Sequence, residues 1–150
     1  MSKFLPAFAF ALCLAAQPAF AGELIKKQSP HSVGETLDKL EGVLAEKDIG
    51  VMARIDHTAN AESVDMELRP TELLIFGNPA VGTKLMQAEQ TMGIELPMKA
   101  LAYEDADGQV WLAYEDPAVF AARRGLPADH EVVGKVSGAL DKLTGAAVKP

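Results

Sequence analysis

Met98 to Glu104 and Gln109 to Glu115 are two runs rich in apolar and aromatic residues, separated by Asp105-Ala106-Asp107-Gly108. No other feature of the chain restricts its fold as much. Asp and Gly adopt turn dihedrals at low cost, so the pattern predicts a β-hairpin. The residues before it extend the plan to Leu68–Pro117, read as strand, helix and hairpin. Thr71 to Phe76, between Pro70 and Gly77, has the β-branched and large apolar content of a buried strand. Asn78-Pro79 starts a helix, since Asn78 accepts from first-turn N–H groups and Pro79 at the first helical position forfeits no hydrogen bond. Val81, Leu85, Ala88 and Met92 follow at helical spacing. Gly93 is expected to end this helix in a left-handed conformation, with Ile94 folding back on the last turn. Leu96-Pro97 then releases an extended chain.

The flanks read as follows. Glu23 to Gln28 is a short edge strand. Ser32 and Glu35 form a capping box, and Val33, Leu37, Leu40 and Leu44 place one apolar face on a helix reaching about Lys47. After Asp48-Ile49-Gly50, the stretch Val51 to His57 alternates Val51, Ala53, Ile55 and His57 against Met52, Arg54 and Asp56, a strand ending on Asp56-His57. Thr58 is expected to cap a short helix to Met66. Beyond the hairpin, Asp116-Pro117 repeats the helix-start signal and Gly125 ends a two-turn helix. Asp129 is expected to cap a last helix with the stripe Val133, Val136, Leu140 and Leu143.

The amino terminus has the signature of a cleaved segment. Lys3 gives a positive start, Phe4 to Ala16 is apolar but too short to span a bilayer, and Ala19-Phe20-Ala21 is a small-x-small cleavage site. The expectation is a signal peptide over residues 1–21, export by the general secretory route and a periplasmic location. A lipoprotein signal acylated at Cys13 is disfavoured because Leu12 stands where a small residue is required. Residues 22–150 have about the modal size of one domain. The chain carries a formal net charge of −7 and one cysteine, Cys13. Once residues 1–21 leave, the domain is acidic and has no thiol, which argues against nucleic acid, anionic membranes, disulfides and Cys-based metal sites.

The element order makes this an α+β chain with helices packed on a mainly antiparallel, curved sheet. In the hairpin Trp111 and Ala113 point opposite to Val110, Leu112 and Tyr114. Leu101 and Tyr103 point opposite to Ala100 and Ala102, so neither face is simply polar. Helices on one side would leave an apolar face open, which predicts a homodimer or a ligand-covered surface.

The chain resembles the domain of unknown function 302 family. The resemblance is carried by KKQSPHSVGETLDKL near the start, ARIDH at Ala53–His57, LRPTELLIFGNP at Leu68–Pro79, GTKLM at Gly82–Met86, ELPMKALAYED at Glu95–Asp105 and VWLAYEDP at Val110–Pro117. It implies a compact α+β domain like one TATA-binding-protein (TBP-like) repeat, paired as a dimer, and it implies no reaction. Fold does not fix function, and this charge has the wrong sign for DNA.

Gly77 to Lys84 imitates a phosphate-binding loop, but Thr83 and Lys84 stand in the wrong order and Pro79 removes an N–H that the cradle needs. A weaker anion site remains at the helix start, with Asn78 and, one turn in, Lys84. Its bland alternative is a capped helix. Asp56 and His57 are the best pair for acid–base chemistry, against a His that only holds a turn. His31 and His130 lie in predicted loops. Glu104, Asp105, Asp107, Glu115 and Asp116 gather at the hairpin's ends without the spacing of a calcium loop, so no metal and no cofactor is expected. Lys99, Tyr103, Trp111 and Tyr114 are expected to line a groove on the hairpin, or else to be core or dimer interface. Met86, Met92 and Met98 read as core filler.

Three functions remain. The first is an exported, dimeric module that binds a small ligand or a partner protein through the hairpin face and the Asn78 helix terminus. The second is a hydrolase or lyase with His57 as base and Lys84 or Lys99 steadying negative charge. The third is a structural or assembly role.

Overall fold

The computed structural model describes residues 24–150. The expected signal segment, with Cys13, lies outside the described residues. The elements run β1 (Leu24–Ser29), α1 (Val33–Ala45), β2 (Gly50–Asp56), α2 (His57–Glu62), β3 (Thr71–Gly77), α3 (Pro79–Ala88), a 3-10 turn (Gln90–Ile94), β4 (Met98–Glu104), β5 (Val110–Glu115), α4 (Pro117–Arg123) and α5 (Glu131–Ala147). The strands form one antiparallel sheet in the order β1-β5-β4-β3-β2, so the hairpin and β3 are its centre.

Local chemistry accounts for most boundaries. Ser32 and Glu35 close both halves of their capping box on α1. Asn78 Oδ1 accepts from the N–H groups of Ala80 (2.9 Å) and Val81 (3.4 Å), with Pro79 opening α3. Asp116 does the same for α4 through Ala118 N at 2.9 Å. Gly125, at φ +82°, follows the end of α4 in the left-handed region that glycine enters freely.

Register fixes the two faces, because residues paired across antiparallel strands point the same way. Leu74, Ala100, Ala102 and Leu112 lie on one face and join Val33, Leu37, Leu40 and Leu44 of α1, Leu85 of α3, Phe120 of α4 and the α5 stripe in one buried core. Polar ties pin the layers. Arg54 on β2 donates to Glu72 Oε2 (2.7 Å), Asp38 Oδ1 (2.6 Å) and the Gly34 carbonyl (3.1 Å), joining α1 to the sheet edge. Lys27 on β1 pairs with Asp141 on α5 at 2.8 Å. Glu95 receives Arg124 Nε at 2.7 Å and Arg123 Nη2 at 3.3 Å, holding the start of β4 to α4.

Several expectations need correction. A bulge at Met52 interrupts β2, so Val51 pairs with Phe76 on the covered face while Ala53 and Ile55 face the other way. α2 begins at His57 and is capped by Asp56, whose Oδ1 accepts from Ala59 N at 2.8 Å. Thr58 is not the cap, because its hydroxyl accepts from Thr71 N at 2.9 Å. α3 stops at Ala88, where Glu89 turns extended and its carboxylate caps the 3-10 turn through Thr91. Gly93 therefore terminates no α-helix, and Ile94 points outward, 71% exposed. α5 is capped by His130 Nδ1, which accepts from Val132 N at 3.3 Å, and not by Asp129.

Candidate functional site

The opposite face of the sheet contributes nothing to the buried core cluster. Tyr103 and Trp111 stand directly across from each other on β4 and β5, in one row with Thr71 and Gln28. Leu73, Leu101, Ala113 and Lys26 form the next row, flanked by Ile55 of β2. All these apolar side chains except Ala113 are half-buried. Lys26 Nζ lies 5.7 Å from the Tyr103 ring centroid, a cation–π distance.

Asp105 holds the aromatic row at the hairpin turn. Its Oδ2 accepts from Trp111 Nε1 at 2.8 Å and its Oδ1 from Asp107 N at 2.9 Å and Gln109 N at 3.0 Å. The Trp111 bond, followed by that from Gln109, keeps the Asp105 carboxyl below its ordinary range. A depressed folded pKa contributes stability that is complete above the unfolded pKa and is lost as pH falls through the folded one. The gap in unfolding midpoint between the native chain and Asp105→Asn is therefore expected to be widest near neutrality and to close from about pH 4 downward. Fluorescence of Trp111, the single tryptophan, reads it. A gap that stays constant down to pH 3 would remove the charge from this account.

Lys99 also lies on the open face, but its Nζ turns to the carbonyls of Glu95 (3.2 Å) and Pro97 (3.3 Å). Tyr114 does not join the groove. It points into the helix-covered core, 2% exposed, and its hydroxyl makes no hydrogen bond; the neighbouring Thr144 hydroxyl donates instead to the Leu140 carbonyl at 2.6 Å. Burial pushes the Tyr114 phenol above its ordinary range. The expected groove of four therefore divides, because successive residues of a strand alternate faces.

A concavity of ligand size lies elsewhere. α3 and α5 stand apart over one end of the sheet and leave a cleft of about 540 Å³, within the roughly 300–1,000 Å³ of small-molecule sites. Phe76 and Met98 are contributed by the strands, Val81, Leu85 and Met86 by α3, and Val136, Leu140 and Leu143 by α5. Among the described residues, polar side chains enter only as Asn78, Thr83 and Lys135. Met86 and Met98 thus line an open surface, and of the three methionines read as filler only Met92 is fully buried. Sequence reasoning missed the cleft, because only the fold shows that the apolar Val81 and Met86 of α3 remain exposed beside the buried Leu85.

The remaining candidates fall apart in space. Asn78 lies at the cleft but spends its Oδ1 on capping, so two N–H groups that a bound anion would use are taken. His57 starts α2 at the sheet edge, half-buried, and neither His57, Lys84 nor Lys99 lines the cleft. His31 Nε2 bonds the Lys149 carbonyl at 2.7 Å. Asp105 and Asp107 sit at one end of β5, Glu115 and Asp116 at the other. Among the described residues no group of His, Cys, Asp and Glu has metal-binding geometry.

Comparisons with known proteins agree with this architecture. A family model described as "Domain of unknown function DUF302" matches residues 25–143. A crystal structure of an uncharacterized conserved DUF302 protein from Bacillus stearothermophilus superposes with a TM-score of 0.69 at 17% identity, covering 83% of this chain and 94% of that one. At that identity the likeness shows the fold alone. Chains named fluoride-specific ion channel FluC 1 from Brucella suis biovar 1 (strain 1330) and Brucella abortus biovar 1 (strain 9-941) are each 44% identical over 117 residues, 77% of this chain. The match covers only 46% and 43% of those relatives, so the chain spans less than half their length.

Proposed function

Since the chain belongs to the DUF302 family, defined by a domain of unknown function, we propose that it is an exported, homodimeric module that binds a small apolar ligand in the cleft between α3 and α5. The cleft carries this reading. Its walls are apolar side chains left in contact with water, a state that an apolar occupant relieves. The half-buried row of Leu73, Leu101, Tyr103 and Trp111 supports pairing with a second copy through the open sheet face. The charged amino-terminal start and cleavage signature support export to the periplasm. A hydrolase or lyase built on His57 has less support, because Lys84 and Lys99 lie on different elements from it and none of the three lines the cleft.

Native mass spectrometry of the full chain, purified from its host without denaturation, tests the proposal in one spectrum. The expected masses are those of a dimer with residues 1–21 removed and of a retained or readily added apolar small molecule. Ala139→Phe, which places a ring in the cleft from an exposed position of α5, is expected to abolish that adduct while leaving the dimer. Ligand-free protein that also ignores a neutral solvatochromic dye would overturn the binding reading.

A second reading rests on the Brucella relatives, in which a matching segment forms part of chains named for a fluoride-specific ion channel. Here the domain would be an accessory to an ion-conducting unit. Deletion of the chain would then sensitise its host to fluoride, and unchanged fluoride tolerance would remove this reading.

A further inference from the structure

We propose that the ligand of the α3–α5 cleft is a free fatty acid, its acyl chain lying along the cleft and its carboxylate at the mouth beside Lys135. This rests on the ligand-binding reading above and adds to it the chemical class of the occupant.

Shape is the first argument. On α5 the lining residues are Lys135, Val136, Ala139, Leu140 and Leu143, one stripe rising about 12 Å along the helix at 1.5 Å per residue. A single unbranched chain fits a trough of that length better than a compact ring system does.

The lining chemistry points the same way. Met52, Met86 and Met98 offer unbranched, polarizable side chains that adapt to a mobile hydrocarbon. Among the described residues Phe76 is the only aromatic one in the cleft. Sugars and nucleobases are recognised by stacking and by several convergent polar groups, and the cleft has neither, since Tyr103 and Trp111 are on the far face of the sheet.

Charge supplies the head group. The chain has 21 acidic and 14 basic residues, yet among the described residues the one charged group lining the cleft is a lysine and no carboxylate enters it. Lys135 pairs with Glu131 across one turn, both side chains being largely exposed. An exposed i,i+4 pair is weak, so Lys135 exchanges that partner for a ligand carboxylate at little cost. A free acid is favoured over a bilayer lipid, because a net charge of −7 repels anionic membrane surfaces.

Displacement of dansyl-labelled undecanoic acid from the full chain tests this. Decanoate is expected to displace the probe, and decanol to do so about tenfold more weakly, the size of one charge-assisted hydrogen bond. Lys135→Gln is expected to bring the acid down to the level of the alcohol, and Ala139→Phe to abolish both. If acid and alcohol compete equally in the native chain, the fatty-acid assignment falls and the apolar cleft stands. If neither they nor a neutral dye bind, or if Ala139→Phe changes nothing, the cleft reading falls too. Flotation with phosphatidylglycerol vesicles in place of monomer binding would overturn the choice of a free acid.

Discussion

Phe76→Ala is expected to destabilise the fold by about 3–5 kcal/mol, the usual cost of deleting a buried phenyl ring. The ring is 1% exposed at the end of the central strand β3, where it belongs to the core on one side and to the cleft on the other. A typical domain has only about 5–15 kcal/mol in total, so the variant should unfold at a much lower denaturant concentration with an unchanged slope. A loss under about 1 kcal/mol would mean that α3 collapses onto the vacated space, and the cleft would then be too soft to select a ligand by shape.

The second large effect is expected at Arg54. Burial works against its charge, but the hydrogen bonds to Asp38 and Glu72 outweigh burial and raise the guanidinium above its ordinary range. Arg54→Met leaves Glu72, whose side chain is 18% exposed, without its 2.7 Å partner. Breaking a buried pair from one side costs about 3–5 kcal/mol, and partial exposure lowers this to about 2–3 kcal/mol here. Asp38 is well exposed and returns to water. Arg54→Met/Glu72→Met is therefore expected to recover most of the loss, since replacing both members of such a pair by apolar groups is often neutral. Chemical denaturation of the two variants and of Glu72→Met closes the cycle. Additive losses would show that Arg54 acts only by packing its stem.

Sequence alone made visible what depends on neighbours in the chain. The Ser32–Glu35 box, the Asn78 and Asp116 caps and the hairpin around Asp105 each need a few adjacent residues, and each forms as the residue types require. Alternation along β4 and β5 likewise separates Leu101 and Tyr103 from Ala100 and Ala102. What was illegible depends on distant partners. Asp56 and Thr58 were both competent to cap α2, and the choice fell to Asp56 because β3 offers Thr58 the N–H of Thr71. The bulge at Met52 moves Val51 to the other face of β2, which alternation cannot foresee. α3 breaks at Glu89, where helical spacing continued to Met92, because Glu89 can cap the following turn while Met92 is buried in the core. The cleft is the extreme case, since it exists only through the distance between two helices whose own stripes look ordinary.

The Met52 irregularity reaches beyond β2 itself. An open β rim is where chains zip together into fibrils, and one side chain too many in such a rim spoils the match with an incoming strand. At the other rim, β1 carries adjacent lysines, Lys26 and Lys27, that discourage a newcomer of the same sequence. Crowded copies of this chain are thereby steered away from endless ribbons.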